Sequence, residues 1–476
     1  MLALRRTFID IPTKKINNQE LALLLELRES HFLDFKSAEI SPASLTKTVS
    51  ALCNTSGGEI FIGVEEVETA EGPSLAWNGF AKEEDANAHL DTVEKLSPLG
   101  KHYTAEFLSH DDQPGLVLHL FAKKVKNIIA ASSGKPYVRR SAQNLALNDP
   151  AAVKQLEYDK GIVSFEDEKL DYNLDRITNS TVIIEFLLSA FPSAEPHEFL
   201  DKQEVIVDGT PTVAATMLFH ELPQAPLAKR SSIKILRYKT KGDQGERDTL
   251  AFDPLSIEGP AYDLIYDAVE KTKSLVEEIK KVTPDGLVSI TYPHEALHEI
   301  VTNAVLHRDY SLKTDIQIRI FDNRIEIESP GRLPGHVTVE RITKTQAARN
   351  PKMVRLINKF PNPPNKDAGE GMKTAFESMH KLRLKKPEIV EKEDSLLVIL
   401  RHEPLGSPEQ LVMEYLSKPG QTEITNAIAR DLTGIRSENT MKEAFYKLAE
   451  ADQIERVPGK QGNKAAWQKK SDKPES

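Results

Sequence analysis

Four stretches of this chain bring together residue types able to do chemistry. In the first, Arg28-Glu29-Ser30-His31-Phe32-Leu33-Asp34-Phe35-Lys36, two carboxylates stand five positions apart and a lysine follows the second. Read as a strand from Leu33 to Lys36, the segment puts Asp34 and Lys36 on one face. That pairing suits metal-assisted phosphodiester cleavage: the acid holds a divalent cation, and the lysine orients water or offsets developing charge. Glu65 and Glu66, ending the β-rich GEIFIGV run, can complete the cage. A solvated surface cluster is the competing account. In the second stretch, Glu299 and Asn303 share a helix face at a spacing of four. The Asn oxygen can hold Mg²⁺ while the Glu polarises a water toward a γ-phosphate.

Two look-alikes overlap that helix. His294-Glu295-Ala296-Leu297-His298 spells the H-E-x-x-H of zinc proteases. However, His294 follows Pro293 directly, and Ala304 stands where the extended pattern needs a third His, so zinc is not expected. His307-Arg308-Asp309 has the letters of a kinase catalytic loop, but Thr314 replaces its metal-binding Asn. The third stretch is basic: Lys123, Lys124, Lys126, Arg139 and Arg140 can line a phosphate-contacting face, or be solvated surface. The fourth is the C-terminal end, where Lys442 and Lys447 lie on a helix. Arg456, Lys460, Lys464, Lys469 and Lys470 there face one acid, Glu455, between residues 455 and 470. Such a patch suits phosphate contacts that weaken with salt.

Elements must position these groups. Helical patterns cover Gln19 to Leu27, Ser44 to Leu52 and HEALHEIVTNAVLH; alternating apolar runs predict strands at Gly58 to Val64, Leu116 to Phe121 and Pro136 to Arg140. SIKILRY, DIQIRIF, RIEIES and SLLVILRH read as further strands, with PGRLPG a turn and FPNPPNKD a loop. Gly57-Gly58 allows either a tight turn or a close backbone approach to a ligand. After PLGSP, helices at Leu411 to Ser417, Ile424 to Leu432 and Asn439 to Ala449 precede a hairpin around Pro458-Gly459, the pattern of a winged helix-turn-helix.

Length and composition bound the class. A chain of 476 residues predicts about three domains. Its charged fraction of 28% and hydrophobic fraction of 39% exclude disorder, collagen and coiled coil. No apolar run approaches the roughly 18 residues of a membrane span, and MLALRRTFIDIPTKK lacks a signal-peptide core. One cysteine, Cys53, excludes a disulfide framework, so a cytoplasmic home is expected and no membrane partner. The net charge of −10 argues against unselective coating of nucleic acid. No Walker A sequence occurs, so no helicase motor is expected.

The motifs also carry resemblances. Glu29-Ser30, then Asp34-Phe35-Lys36, then ALCNTSGGEIFIGVEE and Tyr137-Val-Arg-Arg-Ser-Ala-Gln-Asn144 resemble the Schlafen AlbA-type domain over about residues 20 to 150. That resemblance implies a nucleic-acid module. In its nuclease-active members Glu29 and Asp34 would take two of three metal-binding places, with Glu65 or Glu66 where the pattern usually has Asp. Glu299-x-x-x-Asn303, with His307-Arg308-Asp309-Tyr310, resembles the N-box of GHKL-type ATPases, and more closely the C-terminal domain of RecG-like regulators. Gly331 in a first glycine turn, Arg349-Asn350 and Gly369-Glu370-Gly371 follow in that family's order. The resemblance implies that these residues bind ATP with Mg²⁺. Ser329-Pro330-Gly331 departs from ordinary GHKL enzymes, which place an adenine-reading Asp there.

The expectation is therefore an α/β and α+β multidomain protein. Its parts are a Schlafen-like α+β domain (1–150), a connecting α/β region (151–290), a GHKL-like sandwich (291–404) and a winged helix with tail (405–476). The leading reading is a nucleotide-gated, nucleic-acid-binding regulator or phage-defence protein, homo-oligomeric by analogy. The rivals are a Schlafen-like endonuclease using Mg²⁺ or Mn²⁺ at Glu29, Asp34 and Glu65 or Glu66, with Lys36 assisting, and a non-catalytic scaffold.

Overall fold

A computed structural model describes residues 11–69, 72–96, 102–227, 231–283, 286–335, 337–343, 347–364, 371–382, 384–402, 406–418, 420–433, 435, 437–460 and 465–470. The first unit is built on five strands in the order Thr13–Lys15, Tyr103–Ser109, Val117–Ala122, Gly58–Ile62 and Leu33–Lys36. The outer pairs are parallel and the inner ones antiparallel. Alternation sorts the side chains: Ile60 and Ile62 enter a core with Leu45, Val49 and Leu52 of the Pro42–Asn54 helix. Phe61 points the other way, onto Leu21 and Leu24 of the Asn18–Glu26 helix. Both helices start as their sequences dictate, with Asn17 in a capping box and Ser41 capping ahead of Pro42.

Gly57 and Gly58 serve a close approach to protein and not to a ligand. A Cβ on Gly58 would lie 2.3 Å from the Phe32 carbonyl oxygen, and one on Gly57 2.8 Å from that of Ala122. Cys53 is fully buried, and burial pushes its thiol up to about 12. Native protein should therefore show no thiol reactive toward a disulfide reagent at pH 8, and one thiol per chain after denaturation. Full labelling of the native protein would contradict that burial.

The second unit corrects the expected boundary at 290. Its sheet runs Leu255–Ile257, Ile233–Arg237, Ile316–Ile320, Arg324–Pro330, Ser395–Arg401, Glu388–Glu391. The strand Ile233–Arg237 lies parallel to Ile316–Ile320, so residues placed in a connecting region supply one edge strand of the sheet and its neighbour. One continuous core accordingly includes Ile177, Ile235, Leu264, Val301, Ile318 and Leu400. A parallel partner needs a long crossover, which no local pattern announces. The helices Ala261–Glu277 and His294–Leu306 pack together within that core.

The last unit has, in order, a helix Pro408–Leu416, a strand Glu423–Thr425, helices Asn426–Thr433 and Glu438–Glu450, and strands Ile454–Arg456 and Ala466–Lys469. Its antiparallel sheet places Ala466–Lys469 in the middle. The helix expected from Ile424 starts two residues later, because Ile424 pairs with Trp467 in the sheet. Met441, Ala444, Phe445 and Leu448 are core residues as their spacing predicts. No helix among the described residues is long and apolar enough to cross a membrane.

Candidate functional site

The strand Leu33–Lys36 does bring Asp34 and Lys36 to one side: Lys36 Nζ donates to Asp34 Oδ1 at 2.7 Å. Asp34 is fully buried, however, and Arg139 donates to its other oxygen at 3.2 Å. Burial opposes its ionisation, but the Glu29 hydrogen bond and the Lys36 and Arg139 charges hold the carboxyl below its ordinary value. Glu29 Oε1 accepts from the Phe35 amide at 3.2 Å and lies 3.5 Å from Lys36 Nζ; burial and Asp34 push its carboxyl up. The third acid is not delivered. Glu65 leaves the sheet on the Val64–Thr69 strand of a separate hairpin and accepts from Asn78 at 2.9 Å, while Glu66 is exposed. Among the described residues no three His, Cys, Asp or Glu side chains are grouped to hold a metal. A Mg²⁺ or Mn²⁺ here would have to take Asp34 from two cations, so this donor set does not fit a divalent ion.

Two of the expected phosphate contacts are interior groups. Arg139 donates from Nε and NH2 to the Ser30 carbonyl, from NH2 to that of Leu33 at 2.9 Å and from NH1 to Asn144 Oδ1 at 2.9 Å. It therefore folds the Ser30–Leu33 bend and is not available to a phosphate. Lys124 is also taken: Nζ donates to the Leu333 carbonyl at 2.7 Å and to Glu391 at 3.0 Å, joining the first unit to the second. Arg140 is exposed and paired with Glu393, and Lys123 is half-buried.

On the His294–Leu306 helix, Asn303 Nδ2 donates to Glu299 Oε1 at 2.8 Å, on a partly open face. Burial raises the Glu299 carboxyl above its ordinary value, opposed by that bond. The amide's use as a donor leaves its Oδ1, a ligand type that suits Mg²⁺. The helix Gly371–Lys381 packs against this one, so Gly371 opens a neighbouring element. Gly369 lies outside the described residues.

The other residues expected to touch nucleotide do come together, but as a buried frame. Asp309 Oδ2 pairs with Arg349 NH1 at 3.1 Å, and its Oδ1 accepts from the Ser311 amide at 2.8 Å. Arg349 also donates to the carbonyls of Tyr158 at 2.9 Å and Arg332 at 2.6 Å. Asn350 Nδ2 ties the carbonyls of Leu306 and Arg308, both at 2.9 Å. Arg308 is fully buried, reaching the carbonyls of Asp309, Leu312 and Thr314 and lying over the Tyr310 ring. Gly331, at φ +104°, admits Asp309, whose Cβ would stand 2.7 Å from a Cβ there. Burial and Arg349 push the His307 imidazole down to about 4, so it is neutral. Arg308, Asp309, Gly331, Arg349 and Asn350 thus hold the backbone, while Asn350 Oδ1 and Arg349 Nε are buried with no hydrogen-bond partner.

At the C-terminal end Lys442 pairs with Glu438 at 2.7 Å and Lys460 with Glu423 at 2.6 Å; Lys464 lies outside the described residues. Such exposed pairs are weak and screened by solvent, so a phosphate can displace either acid. Sequence reasoning missed Arg332 and Lys160. Arg332 sits unremarked inside PGRLPG, and Lys160 carries no motif at all.

The geometry defines a class: a five-stranded α+β unit bolted through the buried Lys124–Glu391 ion pair to a sheet-and-helix unit bearing an Asn/Glu helix. The comparisons identify the parts. A family model for Schlafen, AlbA_2 matches residues 29–148, and one described as "Putative ATP-dependent DNA helicase recG C-terminal" matches residues 313–400. The chain therefore carries a Schlafen AlbA_2 domain and a RecG-like C-terminal HATPase_c_4 domain. Glu299 and Asn303 precede the second match. Among solved structures, the DIP2311 protein of Corynebacterium diphtheriae is similar at 17% identity over 92% of both chains, with a TM-score of 0.42. The N-terminal domain of a RecG-related protein of Nitrosomonas europaea is similar at 17% identity, over 28% of this chain and 87% of that one, with a TM-score of 0.21. No curated protein matches the sequence.

Proposed function

We propose that this protein binds nucleic acid under the control of ATP. The observation that carries this reading is the joining, in one chain, of the AlbA_2 match to the RecG-like HATPase_c_4 match. ATP sits against the His294–Leu306 and Gly371–Lys381 helices, where Asn303 Oδ1 would hold Mg²⁺ and Glu299 a water. The magnesium would supply charge neutralisation at the phosphates. The 406–470 unit acts as a winged helix, exchanging the Glu438 and Glu423 partners of Lys442 and Lys460 for phosphates. Assembly into a homo-oligomer and a role in regulation or defence belong to the same proposal.

The reading favours binding without cleavage, because Asp34 is already compensated by Lys36 and Arg139. Two measurements test it. Saturating ATP with Mg²⁺ should raise the melting temperature of the protein, and Asn303→Ala should abolish that rise. At a hundredfold excess over Kd, the stabilisation lost is about 2.7 kcal/mol. A rise unchanged by the substitution would remove Asn303 from the site. Incubation with Mg²⁺ or Mn²⁺ and tRNA, single-stranded or duplex DNA should give salt-sensitive binding and intact substrate. Metal-dependent cutting that Asp34→Asn eliminates would replace the binder with a nuclease.

A further inference from the structure

Beside Lys124 and Arg140, the two matched domains meet at a further side chain that neither resemblance singled out. Arg332 NH2 donates to Ser56 Oγ at 2.6 Å and to His31 Nε2 at 2.7 Å. An arginine only donates, so that ring nitrogen accepts and His31 is neutral there. Burial and the Arg332 charge push its imidazole down to about 4.

On one side, Arg332 belongs to the frame below the Asn303 helix. Its carbonyl accepts from Arg349 at 2.6 Å, Arg349 pairs with Asp309, and Asp309 follows the helix end by three residues and packs on Gly331. On the other side, His31 sits in the Ser30–Leu33 bend, whose carbonyls Arg139 holds while pairing with Asp34. Lys124 and Glu391 brace the same crossing: Glu391 accepts from the Leu333 amide and from Lys124, both at 3.0 Å. The path from Asp309 to Asp34 runs through charged or charge-assisted contacts and one step along the Ser30–His31 backbone, in a partly buried setting.

We propose that Arg332 is the positioning residue through which ATP at the Asn303 helix alters nucleic-acid affinity of the AlbA_2 domain, by way of its contacts with His31 and Ser56. The proposal rests on the ATP-gated reading above. A shift of the helix end has to move Gly331 and Arg332, since the Asp309–Gly331 approach leaves no slack.

Affinity of the full chain for labelled tRNA and for labelled single-stranded DNA is measured with and without ATP and Mg²⁺. ATP binding is followed separately by the shift in melting temperature. In the wild type ATP should change the affinity roughly fivefold or more, the lower end of common allosteric couplings. In Arg332→Ala the melting shift with ATP should persist while the affinity ratio falls to near one. His31→Phe keeps an aromatic ring beside Phe32, a larger one, and removes the acceptor nitrogen, so it should behave the same and decides the matter if Arg332→Ala misfolds. Variants that keep the wild-type ratio would overturn the role of Arg332 alone. A wild type that binds ATP with a ratio of one would overturn the gating reading, and this proposal with it.

Discussion

Replacing Arg139 by alanine is expected to destabilise the AlbA_2 domain by about 3–5 kcal/mol, the cost of breaking a buried ion pair from one side. Arg139 is 2% exposed, and its removal takes one donor each from Asp34, the Ser30 and Leu33 carbonyls and Asn144 Oδ1, although the Ser30 amide still reaches the Leu33 carbonyl at 3.0 Å. Lys36 would still neutralise Asp34 from 2.7 Å, so the carboxylate is not left wholly unpaired. The larger part of the loss comes from the bend. Arg139→Lys should recover little, because an ammonium lacks the planar fork that spans two carbonyls and a carboxylate. Asp34→Asn keeps an oxygen at the right place and should cost less than Asp34→Ala. In the double variant Arg139→Ala, Asp34→Ala the losses should be well below the sum of the single ones. Thermal melting followed by the domain's own transition measures this; about 10 °C is the drop expected for this domain size. If Arg139 were a phosphate contact, Arg139→Ala would melt like the wild type and lose nucleic-acid affinity. That outcome would refute the structural role.

The sequence hid this for a physical reason. Tyr-Val-Arg-Arg looks like a basic surface pair, and adjacent strand residues point to opposite faces, so only one of the two can be at the surface. Alternation alone could have sent Arg139 inward and Arg140 outward, but not named Asp34 as its partner across more than a hundred residues. The strand–helix pattern of the AlbA_2 domain was legible because Ile60, Ile62, Leu118 and Leu120 alternate on one face of adjacent strands. The Glu299–Asn303 helix was legible from its period. The parallel pairing of Ile233–Arg237 with Ile316–Ile320 was not, since a crossover of that length leaves no local mark. Nor could composition show Lys124 turned inward: its acid, Glu391, lies in the other domain. The residues misjudged are thus those whose role depends on a distant partner.

Lys160 is the same kind of residue, and it makes the second large effect a matter of pH. It follows the Pro150–Asp159 helix, is 2% exposed, and donates to the Cys53 and Val125 carbonyls at 3.1 and 2.6 Å. Burial pulls its ammonium down from 10.5 to about 7, with Lys124 adding to the fall and Cys53 and Asp159 opposing it. Cys53 is itself a neutral thiol at these pH values. Between pH 7 and 10.5 the unfolded chain therefore binds the proton that the folded one has released, so stability rises with pH across that window. Below pH 7 both states carry the charge, and the folded one bears the full burial penalty. Each pK unit between the two values is worth about 1.4 kcal/mol. Lys160→Met has no charge to bury, but at every pH it takes the Lys160 donor from the Val125 carbonyl and leaves that of Cys53 with the Val125 amide at 3.3 Å, a cost of about 1–3 kcal/mol. The variant should then equal or exceed the wild type in stability at pH 6 and fall below it at pH 9.5. Cys53, Asp159 and Lys124 are present in both proteins, so the difference between the two profiles reports Lys160 together with its couplings to them. Denaturant melts at half-unit steps of pH measure that difference, and parallel profiles would mean that Lys160 stays charged in the seam between the domains.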